Sequence, residues 1–194
     1  MSRTRRGATG AWDPELRPGI VHRLDKETSG VMVVAKNQKS FDYLKSLFKN
    51  RQVEKKYVAI VFGILKNKEG KIEGEMGRSK SDFRKQSLVR GKIGVRHERY
   101  SLTFYNVIKE SREYSLLEVR PQTGRTHQIR VHFQAISHPI VGDKKYFFKN
   151  YKKINFPRMF LHAKEISFIN TKGKRVQYIA PLPREFSELF PISR

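Results

Sequence analysis

Runs of β-branched and aromatic residues bounded by turn signals outnumber the helical stretches of this chain, and the two kinds of segment do not alternate. That pattern argues against a doubly wound fold, which needs a helix after each parallel strand. It predicts an α+β fold: a largely antiparallel mixed sheet with a few flanking helices. VMVVA at 31–35 reads as a buried strand. Asn37 is placed to cap the helix that follows, where Phe41, Leu44, Leu47 and Phe48 recur along one face. KYVAIVFGIL at 56–65 is again strand-like, whereas 66–97, rich in Gly, Lys and Arg, reads as hairpins or loops with a basic surface. Residues 100–108 and 114–119 alternate as paired strands do. A second helix is expected over 126–136, with Ile129, Phe133 and Ile136 on one face and Pro139 beyond its end. Two last strands, near 164–170 and 174–180, meet at a Lys172-Gly173-Lys174 turn.

Charge narrows the partners. Lys and Arg number 41 against 18 acidic residues, a formal net of +23 over 194 residues. Such a chain repels itself when compact, so the excess points to a polyanion, with nucleic acid ahead of an anionic membrane surface. No long amphipathic basic helix stands out to serve a membrane, and no apolar run approaches the ~20 residues of a span. The absence of cysteine removes disulfides, thiolate metal sites and cysteine nucleophiles together. Residues 1–16 read as a basic N-terminal arm or a junction, 17–194 as one domain, and the cytoplasm as the default location.

Three stretches hold more reactive side chains than packing requires. The first is GIVHRLDKETSG at 19–30, a turn held at a sheet edge. Asp25 there lies beside Arg23 and Lys26 in sequence, which favours its ionised, nucleophilic form. Taken alone, Asp25 and Thr28 could equally be turn residues tying down their own backbone, and His22 a half-buried histidine. The second is KKYVA at 55–59, whose Tyr57 is either sheet packing or a platform for a base. The third is RPQTGRTHQIRVH at 120–132. Thr123-Gly124 is a plausible helix entry, and Arg130 should project from a polar stripe with His127 and Gln134, free to meet a carboxylate or phosphate. A solvated cationic face is the plainer alternative. His127 and His132, five residues apart, do not stack on one helix face, so they suggest no zinc site.

In order along the chain, HRLDKETSG at 22–30, KKYVAIVFG at 55–63 and RPQTGRTHQIRVHF at 120–133 resemble the three motifs of the RluA-type pseudouridine synthases. Weaker echoes follow at PIVGD (139–143) and FLHA (160–163), and the likeness runs from about residue 17 to about residue 186. The resemblance implies that 17–194 is a catalytic domain of the pseudouridine synthase fold, converting specific uridines of structured RNA to pseudouridine. Large-subunit ribosomal RNA is the expected substrate and transfer RNA the alternative. It implies a covalent role for Asp25, packing of Tyr57 against the target base, and pairing of Arg130 with Asp25. Arg23 would fill the helix when the uridine flips out. His22, Thr28, Arg125, His127 and Gln128 are the further residues expected at the RNA or base. No metal, nucleotide or redox cofactor, no membrane and no obligate protein partner is implied.

Family members carry ~50 or more residues before the aspartate motif, including a sheet strand with a Lys-Pro-Gly type signature. Without that strand, an open sheet edge and a fragile domain are expected. A non-catalytic RNA-binding or RNA-chaperone module keeping the same fold is the alternative function. An intact trio of Asp25, Tyr57 and Arg130 favours the enzyme.

Overall fold

The computed structural model describes residues 19–79, 82, 84–88, 96–148 and 155–190. The expected arm at 1–16 and part of the basic 78–99 stretch lie outside them. The described elements are β1 (Ser29–Gly30), α1 (Gln38–Lys49), β2 (Glu54–Phe62), β3 (Glu69–Arg78), β4 (Gln86–Leu88), β5 (Arg96–Glu110), β6 (Tyr114–Pro121), α2 (Gln128–Ala135), β7 (Leu161–Ile169), β8 (Arg175–Ile179) and α3 (Arg184–Leu189). They form an eight-stranded sheet in the order β1-β7-β2-β6-β5-β3-β4, with β8 also on β7. The β1–β7 pair is parallel and the other pairs are antiparallel. The α+β expectation therefore holds.

The alternation of β2 divides its side chains between two cores. Ala59 and Val61, with Tyr57 beside them, pack with Leu117 and Val119 of β6 against Ile129 and Phe133 of α2. Val58 and Ile60 face the other way, onto Phe160 and onto Phe186 and Phe190 around α3. A two-residue period on a sheet buried on both faces thus places Tyr57 on the side that carries α2. A third cluster joins Phe41, Leu44 and Leu47 of α1 to Ile166 and Phe168 of β7. Asn37 caps α1 as expected, its side chain accepting from the Ser40 N–H at 2.9 Å.

Three local expectations need correction. The 31–35 run is not a buried strand: Val31, Val33 and Ala35 turn toward the α1 cluster, but Met32 is 43% and Val34 48% exposed. This segment is a sheet margin, held by an isolated bridge between Ile20 and Val34 and by the Val31 N–H on the Ala163 carbonyl. Composition alone cannot separate a one-sided margin from a buried strand. Of the hairpins or loops read over 66–97, the hairpin holds, since β3 and β4 pair antiparallel, and the loop reading fails: β3 runs ten residues and also pairs along β5 from Glu69↔Asn106 to Arg78↔Arg96. Its charged residues mask the alternation that buries Ile72 and Met76. Finally, α2 begins at Gln128, not near Thr123-Gly124, for a reason that belongs to the site.

Candidate active site

The turn that carries Asp25 is pinned at both ends. Upstream, the Ala35 N–H bonds to Gly19 O, beside the Ile20–Val34 bridge. Downstream, Ser29 and Gly30 lie parallel to His162 and Ala163 of β7. Gly30 has φ 123°, and a Cβ there would stand 2.2 Å from the Ala163 carbonyl oxygen, so the TSG of the motif ends in the residue that lets the turn seat on the sheet. The Ser29 hydroxyl meets His162 Nδ1 at 2.8 Å and also receives an Arg158 hydrogen bond. Within the turn, the Thr28 N–H donates to Asp25 O at 3.0 Å, and the Val33 N–H donates to His22 Nε2 at 2.9 Å.

Arg130, on α2, reaches across to this turn. Its Nη1 donates to Asp25 Oδ2 at 3.2 Å. Its Nε and Nη2 donate to Asp143 Oδ2 and Oδ1 at 2.7 and 2.9 Å, a two-point grip on the guanidinium. Asp143 is itself fixed by the N–H groups of Lys145 and Tyr146, at 2.8 and 2.9 Å. Gly142 precedes it at φ 76°, where a Cβ would lie 2.0 Å from the Arg158 carbonyl oxygen. Burial alone would raise the Asp143 pKa, but the Arg130 hydrogen bonds and charge more than offset it, leaving the carboxyl below its ordinary value. Burial likewise opposes the charge of Arg130, and Asp143 and Asp25 together hold its pKa above the ordinary value. The Tyr146 ring lies 5.0 Å from the guanidinium, a cation–π contact.

The sequence places Arg130 on a polar stripe that meets a carboxylate or phosphate, or else on a solvated cationic face; the solvated face is not what forms. Instead residues 128–133 of α2 are buried without a break, and its charge is neutralised inside the protein. The cation that hydrogen-bonds Asp25 is thus Arg130, 105 residues away in sequence, while Arg23 and Lys26 are exposed.

The start of α2 is set by Gln128. Its Oε1 accepts the Thr123 hydroxyl at 2.6 Å and the Arg125 N–H at 2.9 Å. Its Nε2 donates to Leu102 O and Thr103 Oγ1, both at 3.0 Å. This bracket folds 123–126 into a loop ahead of the helix, and His127 closes the loop as N-cap in a left-handed conformation, φ 58°. Gln128, expected to meet the base, therefore spends its amide on the protein. His22 does the same with Nε2; its ring stacks on Phe48 at 4.7 Å, and burial, then Lys55, pushes its pKa down to about 4. His127 Nδ1 lies 2.8 Å from the Tyr146 hydroxyl, which also accepts the Gln86 N–H. Burial, foremost, lowers the His127 pKa.

All nine residues singled out from the motifs line one cavity of about 450 Å³ between the 21–28 turn, β2 and the 121–130 segment. Tyr57 enters it from β2, and burial, then the Asp25 charge, pushes its hydroxyl up to about 12. Arg23 lines it while exposed, and Thr28 contributes a hydroxyl that is buried without a hydrogen-bond partner. Among the described residues, Asp25 is the one carboxylate in the lining, against six Lys and Arg. Sequence reasoning missed Asp143, Tyr146 and Lys55. The PIVGD echo at 139–143 was the available signal for Asp143, but only the fold could show that it meets Arg130.

Residues 8–135 match the family model described as RNA pseudouridylate synthase. This chain belongs to that family. It is 39% identical over 176 residues to the uncharacterized RNA pseudouridine synthase YlyB of Bacillus subtilis, covering 90% of this chain and 55% of that protein. It is 37% identical over 176 residues to the ribosomal large subunit pseudouridine synthase D of Borreliella burgdorferi, covering 90% and 52%. Human RNA pseudouridylate synthase domain containing 1 superposes with a TM-score of 0.76 at 31% identity, covering 83% of this chain and 67% of that one. The chain spans about half the length of the curated relatives it matches. The family membership and the sheet topology agree.

Proposed function

We propose that this domain isomerises uridine to pseudouridine in structured RNA, with Asp25 as the covalent nucleophile. The observation that carries the reading is the meeting of Asp25, Tyr57 and Arg130 in one cavity where, among the described residues, every other formally charged lining side chain is Lys or Arg. Its volume, about 450 Å³, suits a single flipped nucleotide. In the reaction the bond from N1 to C1′ breaks, the base turns, a bond from C5 to C1′ forms, the C5 proton passes to solvent and N1 takes one up, so that no atom is gained or lost. Asp25 holds the intermediate by a bond to the sugar or to the base ring. Arg130, fixed by Asp143, holds and aims the Asp25 carboxylate through its Nη1 hydrogen bond. The Tyr57 hydroxyl has no protein partner among the described residues and retains its proton at neutral pH, so it serves as a ring under the base and a hydrogen-bond donor to it. Arg23, at the exposed part of the lining, fills the space the uridine leaves.

Large-subunit ribosomal RNA is the proposed substrate, on the strength of a relative whose name assigns it that target. Transfer RNA is the alternative. Mapping pseudouridine in RNA from cells with and without the protein tests both: loss of a mark in large-subunit RNA supports the first, and loss only in transfer RNA the second. Unchanged RNA, with binding retained, would leave a non-catalytic RNA-binding module.

A further inference from the structure

The mechanism above leaves Lys55, a half-buried cation of the cavity lining, unused. Lys55 and Tyr57, two residues apart on β2, both line the cavity, with Val53 just ahead of the strand. Lys55 points its ammonium toward Gly124: a Cβ built there would be 3.9 Å from Nζ. Among the described residues its ammonium has neither an ion-pair nor a hydrogen-bond partner, and burial lowers its pKa. Its charge is felt by His22 across the cavity. Arg51 and Arg125 line the same cavity, and the Arg51 and Arg99 charges depress the Arg125 pKa after burial does. Arg51 stands just past the end of α1 at φ 58°, where glycine would be less strained. A protein that holds cations together against their mutual repulsion, with the lysine half-buried and unpaired, is arranged for an anion.

We propose that Lys55, with Arg51 and Arg125, forms a subsite for an RNA phosphodiester next to the uridine bound over Tyr57. The inference rests on the RNA reading above. Asp25 takes the nucleoside end of the cavity with Arg130, and the phosphate lies at the Gly124 end, where the missing side chain of glycine gives a phosphate oxygen room beside Nζ. The subsite would read the backbone and not the base, so it would serve any sequence presented to the cavity.

The test follows the lysine itself. Protein labelled with ¹³C at the lysine ε-carbon is titrated with inorganic phosphate in the tens of millimolar, at constant ionic strength. The Lys55 signal is assigned by its absence in Lys55→Arg or, should that variant not fold, in Lys55→Met. Phosphate should move the Lys55 signal saturably and raise its pKa by about one unit, as an opposite charge at contact does. Lys172, on the exposed turn before β8, should move far less. A Lys55 signal that stays put, or drifts no more than that of Lys172, overturns the subsite. Because no turnover is read, the two failures separate. Pseudouridine formation with an unresponsive Lys55 removes only the subsite, whereas a responsive Lys55 in a protein that forms no pseudouridine removes the isomerase reading.

Discussion

Asp143 grips Arg130 through hydrogen bonds of 2.7 and 2.9 Å and leaves the third nitrogen of the guanidinium to Asp25. The Asp143 side chain has no exposed surface and that of Arg130 is 5% exposed, so neither charge has water to fall back on. Asp143→Ala should therefore destabilise the fold by about 3–5 kcal/mol, the usual result of stripping one partner from a buried pair. Asp143→Asn keeps the shape but weakens the grip. It should fold and lose about 10²-fold in turnover through misplacement of Arg130 and Asp25. Urea denaturation and an RNA isomerisation assay on both variants check this.

Much of this site was legible in the sequence because its parts sit in three short segments, and all nine residues chosen from them reach one cavity. Their individual duties were less legible. Nothing in QTGRTHQ at 122–128 says that the Gln128 amide will be consumed by Thr123, Arg125, Leu102 and Thr103, because two of those partners come from β5. Whether the polar stripe of α2 meets a carboxylate or solvent stayed open for a related reason: a periodicity reports which faces differ, not what covers the polar one. At the fold level, paired strands were readable wherever apolar and polar residues alternate, as in β5 and β6. They were hidden in β3, where Lys71 and Glu73 pair on the outer face. The run at 31–35 failed in the opposite sense, since an apolar run reads as buried until its neighbours are known.

Tyr57 separates packing from hydrogen bonding. Tyr57→Phe keeps the ring against the β2–β6 core and drops a hydroxyl that has no protein partner among the described residues, so stability should change by less than about 1 kcal/mol. If the hydroxyl donates to the base in the transition state, turnover should fall by about 10²-fold. Single-turnover rates on a mapped RNA substrate, alongside thermal melts, measure both effects. An unchanged rate would leave the ring as the whole contribution of Tyr57.

Acid should weaken the fold through two histidines. Burial, with Lys55 adding to it at His22, lowers the pKa values of His22 and His132 from 6.5 to about 4. Between those values the unfolded chain binds more protons than the folded one, so stability is full above pH 6.5 and declines as pH falls toward 4. Each histidine should account for about 2 kcal/mol lost by pH 5. The depressed Asp143 acts lower: its contribution is present above its ordinary value of 3.8 and disappears as pH falls through its folded value. Urea midpoints at pH 7.5 and pH 5 should therefore differ clearly, and His132→Gln should remove about half of the difference. Equal midpoints would show that these rings are not held neutral by burial.

The central claim is that Asp25 forms the covalent bond that lets the base turn. Asp25→Asn keeps the size of the side chain and a hydrogen-bond acceptor for Arg130 Nη1, but removes the attacking negative oxygen. Pseudouridine formation on a mapped RNA is measured with purified wild type and Asp25→Asn side by side, with RNA affinity and melting recorded for each. The account predicts measurable turnover in the wild type and none in the variant, at near-equal affinity and an intact fold. Comparable rates for the two proteins would contradict it, and Asp25 would then be no more than a turn residue paired with Arg130.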